Sequence, residues 1–175
     1  LGSGDDKKAE TFFKQVKTLD EENKDAQAGI GKVEFNRGNL ELAAQFFKES
    51  GKGSEVAAHF NNMGIALVSQ SKSDEAIQFY KNALSVLPDG TKNHLLEFNI
   101  ALAYKKAERW KEATEAFARS LLLNPAYERS LAGLAACAKE AKAKGITLDK
   151  PLLDKAVQKR QEWLKENPQP EKAAS

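Results

Sequence analysis

The residues in this chain most able to do chemistry are two histidines, one cysteine and a few neighbouring carboxylates. His59 and His94 stand far apart, and neither belongs to the set of three or four convergent ligands that a metal needs. Cys137 lies among Ala132, Ala135, Ala136 and Ala138, where a thiol fills a small core gap. A reactive thiolate would need a basic, exposed setting, and Lys139 alone does not make one. Gly29-Ile30-Gly31 has the glycines of a phosphate loop but sits inside a helical pattern, without the preceding strand such a loop requires. Glu21-Glu22 falls at a turn. These residues make no catalytic constellation. Neither an enzyme nor a bound metal or cofactor is expected.

Charge and hydropathy narrow the field further. The 175 residues carry Lys+Arg 27 against Asp+Glu 25, a net of +2, with both signs alternating along the chain. That balance gives no nucleic-acid footprint and no strong pull towards anionic membranes. Even the lysine-rich stretch 155–165 is broken by Glu162, with Glu166 just beyond it. Apolar runs such as Leu121–Leu123 fall far short of the roughly 18 residues that mark a membrane span. One cysteine cannot form an internal disulfide. With 41% hydrophobic residues, the chain can nevertheless bury a core.

What organises the chain is a repeat. A small residue is followed four positions later by an aromatic at Ala9/Phe13, Ala43/Phe47, Ala76/Tyr80 and Ala113/Phe117, the alanines being spaced 34, 33 and 37 apart. Upstream, Ile30-Gly31, Met63-Gly64 and Ile100-Ala101 keep the spacings 33 and 37, and Pro88 and Pro125 each follow their alanine by 12. Within a unit, apolar residues recur at helical spacing, as at Phe60, Met63, Gly64 and Leu67, then Ala76, Ile77, Tyr80, Ala83 and Leu84. Each unit therefore reads as two amphipathic helices joined by a tight turn. Gly38-Asn39 and Ser73-Asp74-Glu75 supply turn and cap chemistry. Pro88 and Pro125 end the second helix, because proline cannot continue the hydrogen-bond ladder.

This pattern resembles the tetratricopeptide repeat, a helix–turn–helix unit of about 34 residues. Residues 57–90 carry it at Phe60, Met63-Gly64, Leu67, Ala76, Tyr80, Ala83 and Pro88. Residues 94–127 carry it at Ile100-Ala101, Tyr104, Ala113, Phe117, Ser120 and Pro125, with Glu97 in place of the first aromatic. Residues 24–56 match at Ile30-Gly31, Ala43 and Phe47, while Gln27 and Glu34 depart. The resemblance implies an all-α fold: a right-handed superhelical array of antiparallel helix pairs with a C-terminal capping helix.

The expected organisation is a tag or linker remnant at 1–4, a single array over 5–168 and a disordered tail at 169–175. The array comprises a half-repeat at 5–20, repeats at 24–56, 57–93 and 94–127, and a degenerate repeat plus cap at 128–168. In the half-repeat, Ala9, Phe13, Val16 and Leu19 stand where a second helix would, so an array extending upstream is expected. Near the other end, Lys144–Asp149 reads as an insertion, and Arg160 takes the place of the repeat's aromatic. Leu152, Leu153, Ala156, Val157, Trp163 and Leu164 form the expected apolar stripe of the cap.

Arrays of this family are interaction modules whose first helices line a concave groove that receives a peptide or helix. Carried over by register, the groove positions include Lys32 and Phe35, then Asn61, Ile65 and Val68, then Leu95, Phe98, Leu102 and Lys105. Arg129, Ala132 and Ala136 follow in the fourth repeat. Asn62 and Asn99 share one repeat position, where an amide can donate to and accept from an extended backbone. Part of the apolar set Phe35, Ile65, Val68, Phe98 and Leu102 is expected to be exposed as a partner site. Chaperone-adaptor members hold a terminal carboxylate with lysine, asparagine and arginine. The corresponding residues here are Ala28, Lys32, Asn62, Leu95 and Asn99, of which only Asn62 matches, so that clamp is not expected.

The resemblance thus implies a protein or peptide partner, with no nucleic acid and no membrane span. The Pro88-Asp89-Gly90 spacer resembles tetratricopeptide regions of bacterial signalling proteins. A cytoplasmic scaffold in a bacterial regulatory or assembly complex is the expected setting. The alternative is a structural assembly unit that self-associates through exposed repeat ends.

Overall fold

A computed structural model of the chain describes residues 4–20, 23–88 and 93–168. The tail expected at 169–175 and residues 1–3 of the expected remnant lie outside these, while Gly4 already opens the first helix. The described residues form nine helices and no strand. They are α1 (Gly4–Leu19), α2 (Lys24–Asn36), α3 (Leu40–Glu49), α4 (Gly53–Ser69), α5 (Ser73–Val86), α6 (His94–Lys106), α7 (Trp110–Leu123), α8 (Glu128–Ala143) and α9 (Lys150–Glu166).

Local chemistry fixes where these helices begin. Asn23, Asn93 and Asp149 cap α2, α6 and α9, their side-chain oxygens accepting the amides of Ala26, of Leu95 and Leu96, and of Leu152. Each cap satisfies a donor that the helix itself cannot.

Four first helices end in one way. Gly38, Ser71, Glu108 and Gly145 are left-handed, with φ of 84°, 64°, 56° and 68°. The amide of the next residue then donates back along the helix, Asn39 to Glu34 at 2.9 Å, Lys72 to Leu67 at 2.9 Å, Arg109 to Tyr104 at 3.0 Å and Ile146 to Ala141 at 2.8 Å. This six-residue closure reverses the chain and satisfies carbonyls left open at a helix end. After the first three turns the next helix starts two residues on, at Leu40, Ser73 and Trp110. After Gly145 it starts only at Lys150, which locates the insertion.

The chain divides into two compact units, Leu1–Thr91 and Lys92–Ser175. In the first, α1 packs on α2, the pairs α2/α3 and α4/α5 form hairpins, and α3 lies chiefly against α5. Its core includes Ile30, Ala43, Phe60, Ala76, Ile77, Tyr80 and Val86, all buried. In the second unit, α6/α7 form a hairpin and α8 packs against α7. Its core includes Ile100, Ala101, Ala113, Phe117, Leu121 and Cys137.

Small residues sit where rings approach. A Cβ at Gly64 would collide with the Tyr80 ring of the same hairpin, and one at Gly133 would lie 2.5 Å from the Phe117 ring of the preceding helix. The repeat aromatic thus fills two kinds of space. Phe117 reaches the next helix at Gly133, Tyr80 is seated within its own hairpin at Gly64, and Phe47 does both, lying 3.1 Å from where a Gly31 Cβ would stand and 6.4 Å from the Phe60 ring.

The last helix departs from the repeat. α9 packs on α7, and its backbone does not pair with α8. The expected stripe is therefore only partly covered. Ala156 is buried, Leu152, Leu153 and Trp163 are half-buried, and Val157 and Leu164 are exposed. Arg160 is buried, donating to the Pro125 carbonyl at 2.6 Å, pairing with Glu128 and lying 4.8 Å over the Trp163 ring. The long insertion lets α9 reach past α8, and a polar anchor holds it there.

Candidate functional site

The residues with chemical potential are placed structurally. No group of three or more His, Cys, Asp or Glu that could hold a metal occurs among the described residues. Cys137 is fully buried, and burial pushes its thiol up, away from the thiolate form. His59 lies edge-on to Phe35 at 6.3 Å. His94 sits 3.1 Å from the Asn124 amide and edge-on to Tyr127 at 5.0 Å. No helix of the described residues is long and apolar enough to cross a membrane. What remains as a candidate site is the outward face of the first helices, taken unit by unit.

In the first unit, α2 presents exposed Lys32 and half-buried Phe35, while α4 presents exposed Asn62 and Ile65 with half-buried Asn61 and Val68. Ile65 is 50% exposed. Phe35 does not stand free. Its ring stacks on Phe60 at 5.6 Å and 25° and meets Phe79 at 6.5 Å. Beside it lies a cavity of about 410 Å³ between α2 and α4, lined by Lys32, Phe35, Phe47, Val56, His59 and Phe60 among others. Asn62 and Ile65 stand further along α4 and do not line it.

In the second unit, α6 presents exposed Leu95, Leu102 and Lys105 with half-buried Asn99. Phe98 corrects the expectation of an exposed anchor, being only 5% exposed. Its ring lies edge-on to Phe117 at 5.7 Å and to Tyr127 at 5.2 Å, and the Arg129 guanidinium covers it at 4.9 Å. Tyr127 is the N-cap residue of α8 and Arg129 lies in its first turn, so the next element buries this ring. The sequence placed Arg129 on the face but gave no signal for Tyr127, a lone aromatic at the start of α8, and pointed to His59 only as an isolated histidine and not as a neighbour of Phe35.

No protein-family model matches the chain, and no curated protein matches it. Among solved structures the chain is similar to two crystal structures of MamA, at 20% identity and TM-score 0.46, covering 93% of this chain and 89% or 83% of MamA. It is also similar to BtubC from P. vanneervenii, at 19% identity and TM-score 0.47, covering 98% of this chain and 80% of BtubC. Likeness at that level leaves the function to be read from the chain's own residues. They define an all-helical protein of repeated helix hairpins.

Proposed function

We propose that the chain is a protein-interaction scaffold of the tetratricopeptide type, binding a peptide or helix of a partner protein on the faces of its first helices. One observation carries this reading. In the hairpins α4/α5 and α6/α7, the large apolar side chains left exposed are Ile65, Leu95 and Leu102, all on first helices, and α5 and α7 expose none, whereas Phe12 of α1 and Leu42 of α3 are exposed outside these two pairs. Apolar exposure confined to one helix in these two pairs is how a docking face differs from random surface. Asn61, Asn62 and Asn99 add amides that can hold a partner's backbone, Phe35, Val68 and Phe98 support the apolar floor, and Lys32 and Lys105 stand towards the ends. The setting we infer is a bacterial, cytoplasmic regulatory or assembly complex.

Affinity capture from the source cells tests this. Ile65→Ser and Leu102→Ser should lower recovery of the bound partner by at least about tenfold, as anchor residues do. Lys81→Ser and Lys111→Ser, on α5 and α7, should leave it unchanged. Equal recovery with all four variants places the site elsewhere.

A further inference from the structure

We infer that the α6/α8 face of the second unit takes an acidic amphipathic segment of the partner, carboxylates meeting Lys105, Arg129 and Lys139 while apolar side chains rest on Leu95 and Leu102. This rests on the scaffold reading above and gives that partner its chemistry.

Register and packing bring the residues together. Leu95, Leu102 and Lys105 of α6 have their repeat equivalents 34 residues on, at Arg129, Ala136 and Lys139 of α8. Both helices pack on α7, and they touch each other. The Arg129 guanidinium reaches from α8 across the Phe98 ring of α6, 4.9 Å above it. Lys105 and Lys139, both exposed, stand at one repeat position on the two helices. Arg129 thus crosses from α8 to α6, and the small side chains of Ala132 and Ala136 leave room beside it.

The charges on this face lack counterparts. Elsewhere in the unit the arginines are paired, Arg119 with Glu97, Arg109 with Glu112 and Arg160 with Glu128. Among the described residues, Lys105, Arg129 and Lys139 have no carboxylate partner, and Glu97 and Glu128, beside the face, are already held. Leu102, 37% exposed, and Leu95, 48% exposed, stand on α6 of the same face. A partner segment complementary in charge and in apolar spacing covers both. Its carboxylates steer and specify, and its apolar residues anchor.

Two synthetic amphipathic peptides with identical leucine spacing, one carrying glutamate and one lysine at the polar positions, test this on the full chain by fluorescence anisotropy. The glutamate peptide should bind at least about tenfold tighter than the lysine peptide, and should weaken several-fold as salt screens the pairs. The triple variant Lys105→Glu/Arg129→Glu/Lys139→Glu should reverse the preference. Lys105→Gln/Lys139→Gln, which leaves Arg129 on Phe98, should reduce it, with circular dichroism unchanged in both. Equal binding of the two peptides, preference for lysine, a preference surviving the triple variant, or no binding of the glutamate peptide overturns the inference. If both peptides bind alike and Leu102→Ser abolishes both, the acidic specificity falls and the scaffold face stands. If Leu102→Ser and Ile65→Ser also leave partner capture intact, the scaffold reading falls with it.

Discussion

The two units join one hairpin to the next by different means. In the first, rings line the space between α2 and α4 and leave a cavity beside them, with Phe60 meeting Phe35, Phe47 and Phe79 at 5.6, 6.4 and 5.9 Å. In the second, α8 closes directly on α7, because Gly133 lets the Phe117 ring lie where a side chain would stand. Gly133 and Asn62 occupy the same repeat position. Where it is glycine, the preceding ring is seated and the joint is tight. At Asn62 the side chain is exposed instead and stands available to a partner. One register thus serves packing at one joint and display at the other.

The largest effect should come from the ring cluster. Phe60→Ala removes a fully buried ring shared by three others and should cost about 3–5 kcal/mol. Phe98→Ala should cost less, about 2–3 kcal/mol, because Arg129 can settle into the gap and a collapsible site is cheaper to empty. Denaturant unfolding of the two variants measures the difference.

The next test exchanges the shared position. Gly133→Val forces Phe117 from its seat and should cost about 1–3 kcal/mol, the range for overpacking. Asn62→Val, at the equivalent but exposed site, should stay within about 0.5 kcal/mol. Similar costs at the two sites would erase the distinction between a packed and a displayed position.

Much of the first comparison was legible in the sequence, because alanine, aromatic and proline series impose hairpins by local geometry. The left-handed turns at Gly38 and Gly145 were equally readable. Those at Ser71 and Glu108 were not, since there the hairpin imposes a conformation the residue type disfavours. The burial of Phe98 was hidden for another reason. Its cover, Tyr127 and Arg129, comes from the next element, and no spacing within one helix reports that. The docking of α9 on α7 was hidden likewise, being fixed by Arg160 reaching the Pro125 carbonyl and Glu128.

A third difference is chemical. Of the repeat aromatics Phe47, Tyr80 and Phe117, only Tyr80 can ionise, and burial pushes its phenol up to about 12. Its folded value lies above the usual value near 10 of an unfolded chain. Its contribution is therefore complete below pH 10, and stability falls as pH rises towards 12, where the unfolded chain loses the proton first. Alkaline absorbance titration should show a phenol titrating near pH 12 that Tyr80→Phe removes. That variant should leave stability at pH 7 within about 0.5 kcal/mol of wild type.

The smallest effect concerns the turns. Glu108→Gly and Ser71→Gly relieve left-handed strain but loosen the unfolded chain, and each should stabilise by about 0.5 kcal/mol. Gly38→Ala, strained at φ 84°, should destabilise by about 1 kcal/mol. Thermal melts of the three variants check the signs.

The central claim is that partners meet the first helices, and position-resolved photo-crosslinking tests it most directly. A benzophenone side chain is placed singly at Ile65, Leu102, Gln78 or Lys111 of the full chain in its source cells. A crosslinked partner is expected at Ile65 and Leu102, on α4 and α6, and none at Gln78 or Lys111, on α5 and α7. Crosslinks of equal yield at all four positions, or only at Gln78 and Lys111, would contradict it.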